Sequence, residues 1–177
     1  ASAARVLGAG VLRPVLGGMD ASASRLRLPP DLIGPLVATP ATGAVWPGRP
    51  TTLLTLGGSY PSPTIRVGRG DVFDLRFENR LGESTNVHWH GIAAPPEADG
   101  HPMDLVAHGA ARQYRFQIAE PAGTYWYHPH PDGRTAPQVY GGMAGFFIVE
   151  DEEERALGLP KEPGYDKTLA WKDIPKG

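Results

Sequence analysis

Four segments of this 177-residue chain alternate apolar and polar side chains with a period of two, a pattern that specifies half-buried β-strands. Residues 71–79 (DVFDLRFEN) put Phe73, Leu75 and Phe77 on one face and Asp74, Arg76 and Glu78 on the other. Residues 113–118 set Tyr114, Phe116 and Ile118 against Gln113, Arg115 and Gln117. Residues 86–90 (NVHWH) place Val87 and Trp89 opposite His88 and His90, and residues 123–130 (GTYWYHPH) align Trp126, His128 and His130. A further strand is predicted over residues 51–56, and the mostly apolar residues 145–150 (GFFIVE) close the run. Turns separate them: the 23 Gly and 19 Pro make up about a quarter of the chain, roughly twice the usual share. The composition argues against wholesale disorder, because 41% of residues are hydrophobic and only 20% charged. With no internal repeat, the expected fold is all-β, a sandwich or barrel.

The length fits one domain with short appendages. Residues 1–24 are read as a flexible arm or the remnant of an export signal, given the small-residue run Ala21-Ser22-Ala23. Residues 6–19 are weakly apolar, too short to span a bilayer and interrupted by Arg13 and Pro14, so no membrane span is expected. Residues 25–150 form the domain, its opening stretch to residue 63 wrapping as irregular segments and edge strands because Pro removes ladder donors. Residues 151–159 (DEEERALGL) are the one good helix candidate, capped by Asp151 and bearing Glu152–Glu154 at the positive end of its dipole. Residues 151–164 are therefore a helix and linker, and residues 165–177 the opening of a further strand unit.

Charge and cysteine usage narrow the chemistry. A net charge of −2 and a pI near 6.3 give no electrostatic footprint for nucleic acid. The absence of Cys excludes disulfides, a nucleophilic thiol, iron–sulfur clusters and any thiolate-bound metal within this chain.

Four of the six histidines form two His-x-His pairs, His88/His90 and His128/His130, whereas chance would supply such a pair about 0.2 times. On a strand, residues i and i+2 project from the same face roughly 6.5–7 Å apart, so each pair can share one ion or hold two neighbouring ones. Imidazole suits zinc, copper, iron and nickel alike. A mononuclear zinc hydrolase site would need a third His. A cupin-type site would need a Glu soon after His90, where the nearest acid is Glu97. His101 and His108 lie in polar, Gly/Pro-rich context and read as exposed loop residues.

Residues 86–92 (NVHWHGI), 96–102 (PEADGHP), 123–130 (GTYWYHPH), 138–145 (QVYGGMAG) and 149–151 (VED) together resemble the N-terminal domain of bacterial laccase-like multicopper oxidases. The similarity runs in order over residues 53–159. Ser62 departs from it, standing in a Pro-x-Pro turn where that family commonly has Gly.

The resemblance implies a cupredoxin-like Greek-key β-sandwich with a short C-terminal helix, residues 165–177 being the stub of the next cupredoxin domain. It implies a trinuclear copper cluster held by eight histidines, four of them here. His88 would bind the type 2 copper, His90 and His128 would share one type 3 copper, and His130 would take the other. Asp99, nine residues past His90, would be the acid beside the type 2 site that assists proton delivery; its bland alternative is a turn residue before Gly100. The implied activity is single-electron oxidation of a phenolic, aromatic amine or cuprous ion reductant with O2 reduced to water. Type 1 copper and the other cluster ligands would come from C-terminal cupredoxin domains, without which this chain is expected to be inactive. A periplasmic or secreted bacterial location follows from the same likeness. The alternatives are a stand-alone copper-binding or copper-storage module without turnover, and a structural relative that kept the fold and lost the metal, against which the presence of all four histidines weighs.

Overall fold

A computed structural model describes residues 34–46 and 48–160. The expectations for residues 1–24 and 165–177, and for the end of the linker, lie outside the described residues.

Among the described residues the chain builds two four-stranded sheets packed face to face. The strands are β1 (Leu36–Trp46), β2 (Arg49–Leu56), β3 (Ile65–Gly68), β4 (Val72–Asn79), β5 (His88–His90), β6 (Ala111–Gln117), β7 (Gly123–His128) and β8 (Gly145–Glu150). The first sheet has the order β2-β1-β4-β6 and the second β3-β8-β7-β5. After β2 the chain alternates between sheets, β3 in the second, β4 in the first, β5 in the second and β6 in the first. Two contacts are consequently parallel, β1 with β4 and β3 with β8, and the rest are antiparallel. The fold is a cupredoxin-like Greek-key β-sandwich.

The alternation predicted from sequence sets the core. Phe73, Leu75 and Phe77 of β4 and Tyr114, Phe116 and Ile118 in and after β6 are buried, while Arg76, Gln113, Arg115 and Gln117 face solvent. From the second sheet, Trp89, Tyr127, Phe147 and Val149 meet them. Trp89 is fully buried at the centre, its ring edge-on to Phe73 at 4.8 Å and to Tyr114 at 5.4 Å. Its indole N–H donates to the Ala98 carbonyl at 3.0 Å, so the polar end of this large side chain is satisfied. Because Trp89 lies between His88 and His90, the core anchor and the histidine pair are fixed by one three-residue strand.

Two features, β1 and an added helix, differ from the sequence reading. β1 is a long interior strand of its sheet rather than an irregular wrap. Its small residues hide the alternation, and Pro40 is tolerated because β4 pairs only with residues 36–38, leaving that side of Pro40 without a β4 partner. The turn at residues 68–71, closed by Asp71 N–H to Gly68 O at 3.0 Å, carries the chain from one sheet to the other, β3 pairing with β8 and β4 with β6. A second helix, α1 (Thr135–Gly141), joins β7 to β8, with Pro137 in its first turn where backbone N–H groups lack partners anyway. The predicted C-terminal helix, α2 (Glu152–Ala156), forms with Asp151 capping Glu154 N–H at 2.8 Å.

Candidate metal centre

The histidines sit at the edge of the second sheet, where β5 is the outermost strand and pairs with β7. The register places His88 opposite His128, Trp89 opposite Tyr127 and His90 opposite Trp126. Residues opposite each other in an antiparallel pair share a face. Trp89 and Tyr127 point into the core, so His88, His90, Trp126 and His128 all project from the other face.

Ring centroids are 5.6 Å apart for His88 and His90, 5.4 Å for His88 and His128, and 5.4 Å for His90 and His128. One ring nitrogen from each of these three lies within 4.8 Å of the others, an arrangement that can hold a metal ion. His90 Nδ1 and His128 Nε2 are 3.2 Å apart. His130 adjoins the group, 5.2 Å from His88 and 5.8 Å from His128 between centroids. It is not on the strand: β7 ends at His128, Pro129 supplies no N–H to continue a ladder, and His130 N–H donates instead to Asn86 Oδ1 at 2.7 Å. All four histidines singled out from sequence thus come together, three on paired strands and the fourth on the following loop.

Hydrogen bonds orient the rings. His88 Nδ1 lies 3.0 Å from the Asp99 carbonyl oxygen and 3.1 Å from Asp99 Oδ1, which draws the proton to Nδ1 and leaves Nε2 as the donor atom. His128 Nδ1 donates to the Pro129 carbonyl at 2.8 Å, again freeing Nε2. Trp126 stacks on His128 at 4.1 Å and tilts over His90 at 4.8 Å. Burial pushes the His128 pKa down to about 4, with the neighbouring histidines adding to the fall, so the ring is neutral at pH 7. A buried, neutral imidazole whose Nε2 lone pair faces His90 has the chemistry of a metal ligand. The buried Nδ1 of His130 has no hydrogen-bond partner in the protein, which marks it as a further donor awaiting one. The donor set fits a transition-metal ion.

The loop behind the site is held firmly. Arg112 donates to the Glu97 carbonyl at 2.7 Å and pairs with Asp104 at 3.4 Å. Tyr114 Oη accepts the Val87 N–H at 2.9 Å, and burial pushes its phenol up to about 12. Asp99 lines an open concavity of about 520 Å³ together with Ala94, Pro96, Glu97, His101 and Asp104. His101 and His108 are exposed, as expected. Ser62, by contrast, is buried at the turn where the sequence departs from its likeness.

Two residues of the site carry no sequence signal of their own. Asn86 reads as the first residue of a strand, and its bonding partners lie 14, 15 and 44 positions away. Trp126 reads as an ordinary strand aromatic, and only the β5–β7 register brings it over His90.

A family model described as multicopper oxidase matches residues 39–154. The chain is 34% identical over 123 residues to the multicopper oxidase mco of Staphylococcus aureus, covering 68% of this chain and 26% of that protein. It is 37% identical over 120 residues to the cell division protein FtsP of Escherichia coli, again covering 68% of this chain and 26% of the relative. The crystal structure of a multi-copper oxidase from Pediococcus acidilactici superposes with a TM-score of 0.72 at 32% identity, over 86% of this chain and 34% of that one. The chain spans about a quarter of the length of the curated relatives it matches.

Proposed function

Since the chain belongs to the multicopper oxidase family, we propose that it forms the N-terminal cupredoxin domain of a laccase-like oxidase and supplies four of the eight histidines of a trinuclear copper cluster. The observation that carries this reading is the convergence of His88, His90 and His128 at one sheet edge, with the partnerless His130 Nδ1 beside them. The 3.2 Å separation of His90 Nδ1 and His128 Nε2 favours their sharing one ion, since nitrogens about 2.0–2.1 Å from a common metal would lie about 3.2–3.4 Å apart in near-tetrahedral geometry. In this reading His90 and His128 hold one type 3 copper, His130 the other, and His88 the type 2 copper. Bound copper would supply the electron transfer by which O2 is reduced to water.

The chain's own residues have three tasks. The Asp99 backbone carbonyl fixes the ring of His88 through Nδ1, and the Asp99 carboxylate lies 3.1 Å from the same nitrogen. That carboxylate stands between His88 and the solvent-open concavity, which is where a group that accepts and passes protons to the site is needed. Trp126 covers the outer side of His90 and His128 and limits their rotation. Residues 25–150 would form this domain and residues 151–164 the helix and linker to C-terminal cupredoxin domains, which would provide the type 1 copper that Cys-free residues cannot bind. The reductant would be a phenol, an aromatic amine or cuprous ion, and the location periplasmic or secreted. No helix among the described residues is long and apolar enough to cross a membrane.

The test is copper content and turnover of the full-length protein with His128→Ala. The substitution should abolish O2 reduction while the blue type 1 absorption remains and is still bleached by reductant. Full O2 reduction by the variant, or wild-type protein that binds no copper, would sink the proposal. Copper uptake without any turnover by the wild type would favour the storage module instead.

A further inference from the structure

Asn86 is fully buried, and three of the four hydrogen bonds its amide can make are formed. Nδ2 donates to the Gly100 carbonyl at 3.0 Å and to the His101 carbonyl at 2.9 Å, while Oδ1 accepts the His130 N–H at 2.7 Å. Two carbonyl acceptors and one N–H donor admit only one orientation of the amide. The side chain therefore ties together three pieces of backbone: its own segment two residues before His88, the loop whose Asp99 carbonyl receives His88 Nδ1, and the loop that carries His130. Those loops share no sheet ladder. His88 and His130 are 5.2 Å apart: the β5–β7 ladder brings their segments together as far as His128, and beyond the end of β7 this amide ties the His130 backbone to the segment before His88.

We infer that Asn86 is a positioning residue of the metal centre, setting the His88 and His130 rings in mutual register. The inference rests on the reading of those histidines as copper ligands. A natural control exists in Asn79, which is also fully buried and also makes three backbone hydrogen bonds: Nδ2 to Glu83 O at 2.9 Å and to Val106 O at 2.8 Å, and Oδ1 from Leu81 N at 2.9 Å. None of those three partners bonds a histidine of the cluster. Aspartate at either position keeps the acceptor oxygen but turns both donors into a carboxylate facing two carbonyls. The structural penalties of the two substitutions are alike, so stability alone cannot separate them.

The experiment titrates Cu(II) into metal-free full-length protein against a competing chelator and records the electron paramagnetic resonance spectrum of the bound ion. Asn86→Asp should weaken uptake roughly 10–100-fold and alter the hyperfine pattern of the ion held by His88, the range typical of groups that orient a ligand from behind. Asn79→Asp, at a similar loss in melting temperature, should leave affinity and spectrum as in the wild type. Equal effects of the two substitutions, or a wild-type spectrum and affinity for Asn86→Asp, would overturn the inference. If either aspartate variant does not fold, the pair Asn86→Ser and Asn79→Ser is compared under the same criteria. A wild-type protein whose copper uptake is unchanged by His88→Ala would instead overturn the ligand assignment on which the inference rests.

Discussion

Gly100 is the position where a single methyl group should do most damage to the site. Its φ of +72° lies in the left-handed region, where a residue with a Cβ costs about 1–2 kcal/mol. A Cβ there would also stand 1.9 Å from the Val87 carbonyl oxygen, 2.5 Å from its carbonyl carbon and 2.9 Å from His88 N. All three are backbone atoms, so no rotamer change relieves the overlap. Restoring ordinary contact near 3.5 Å requires the 99–101 loop and the start of β5 to separate by about 1.5 Å. That movement breaks one or two of the bonds spanning the gap, Asn86 Nδ2 to Gly100 O and His88 Nδ1 to Asp99 O, each worth about 1–3 kcal/mol when buried partners are left unmet. Gly100→Ala should therefore cost about 2–8 kcal/mol, a large part of a typical domain's stability, and displace His88 as it does so. Gly109→Ala isolates the clash: its φ is +77° but nothing lies within 4 Å of its Cβ, so only about 1–2 kcal/mol is expected. Urea unfolding with a common m-value measures both, and Cu(II) titration reports the site. A Gly100→Ala protein no less stable than Gly109→Ala, with copper affinity unchanged, would refute the reasoning.

Trp89→Ala should destabilise the domain by about 3–5 kcal/mol, because a fully buried indole packed on several aromatic rings is removed and the Ala98 carbonyl loses its donor; denaturant unfolding checks it. Asp99→Asn should slow O2 reduction with copper retained, since the amide can still face His88 but no longer takes up protons; an unchanged turnover rate across pH counts against that role. The Asp151 carboxylate accepts N–H bonds from Glu154 and Ala122, which hold its pKa below the ordinary aspartate value. Its contribution is thus complete above the unfolded-state pKa near 4 and is lost as pH falls through the lower folded value. Asp151→Asn should accordingly flatten the acid limb of melting temperature against pH, and an unaltered limb would contradict the assignment.

Local periodicity made much of the fold legible. β4 and β6 show their buried faces in the sequence because side chains two apart share a face whatever the strand pairs with. β1 escaped because Ala, Thr, Gly and Pro give no alternation, and its place in the interior of the sheet rests on partners up to 41 residues away. α1 escaped for a similar reason: seven residues containing Pro137 carry little helical signal, and what holds the helix is buried Gln138, bonded to Thr85 and Ser84 more than 50 residues earlier.

The site divides along the same line. The two His-x-His pairs stand in the sequence, and the strand period alone makes His88 and His90 face one way. The sequence therefore determined which residues could bind a metal, and the missing cysteine determined which copper this chain could not bind. The β5–β7 register, which sets His88 against His128 and lays Trp126 over His90, was decided only by the tertiary structure. So was the end of β7 at His128, which takes His130 off the strand and turns its N–H to Asn86 Oδ1. The physical reason is that side-chain periodicity is a property of the backbone, whereas the distance between two pairs depends on hydrogen bonds between segments remote in the chain.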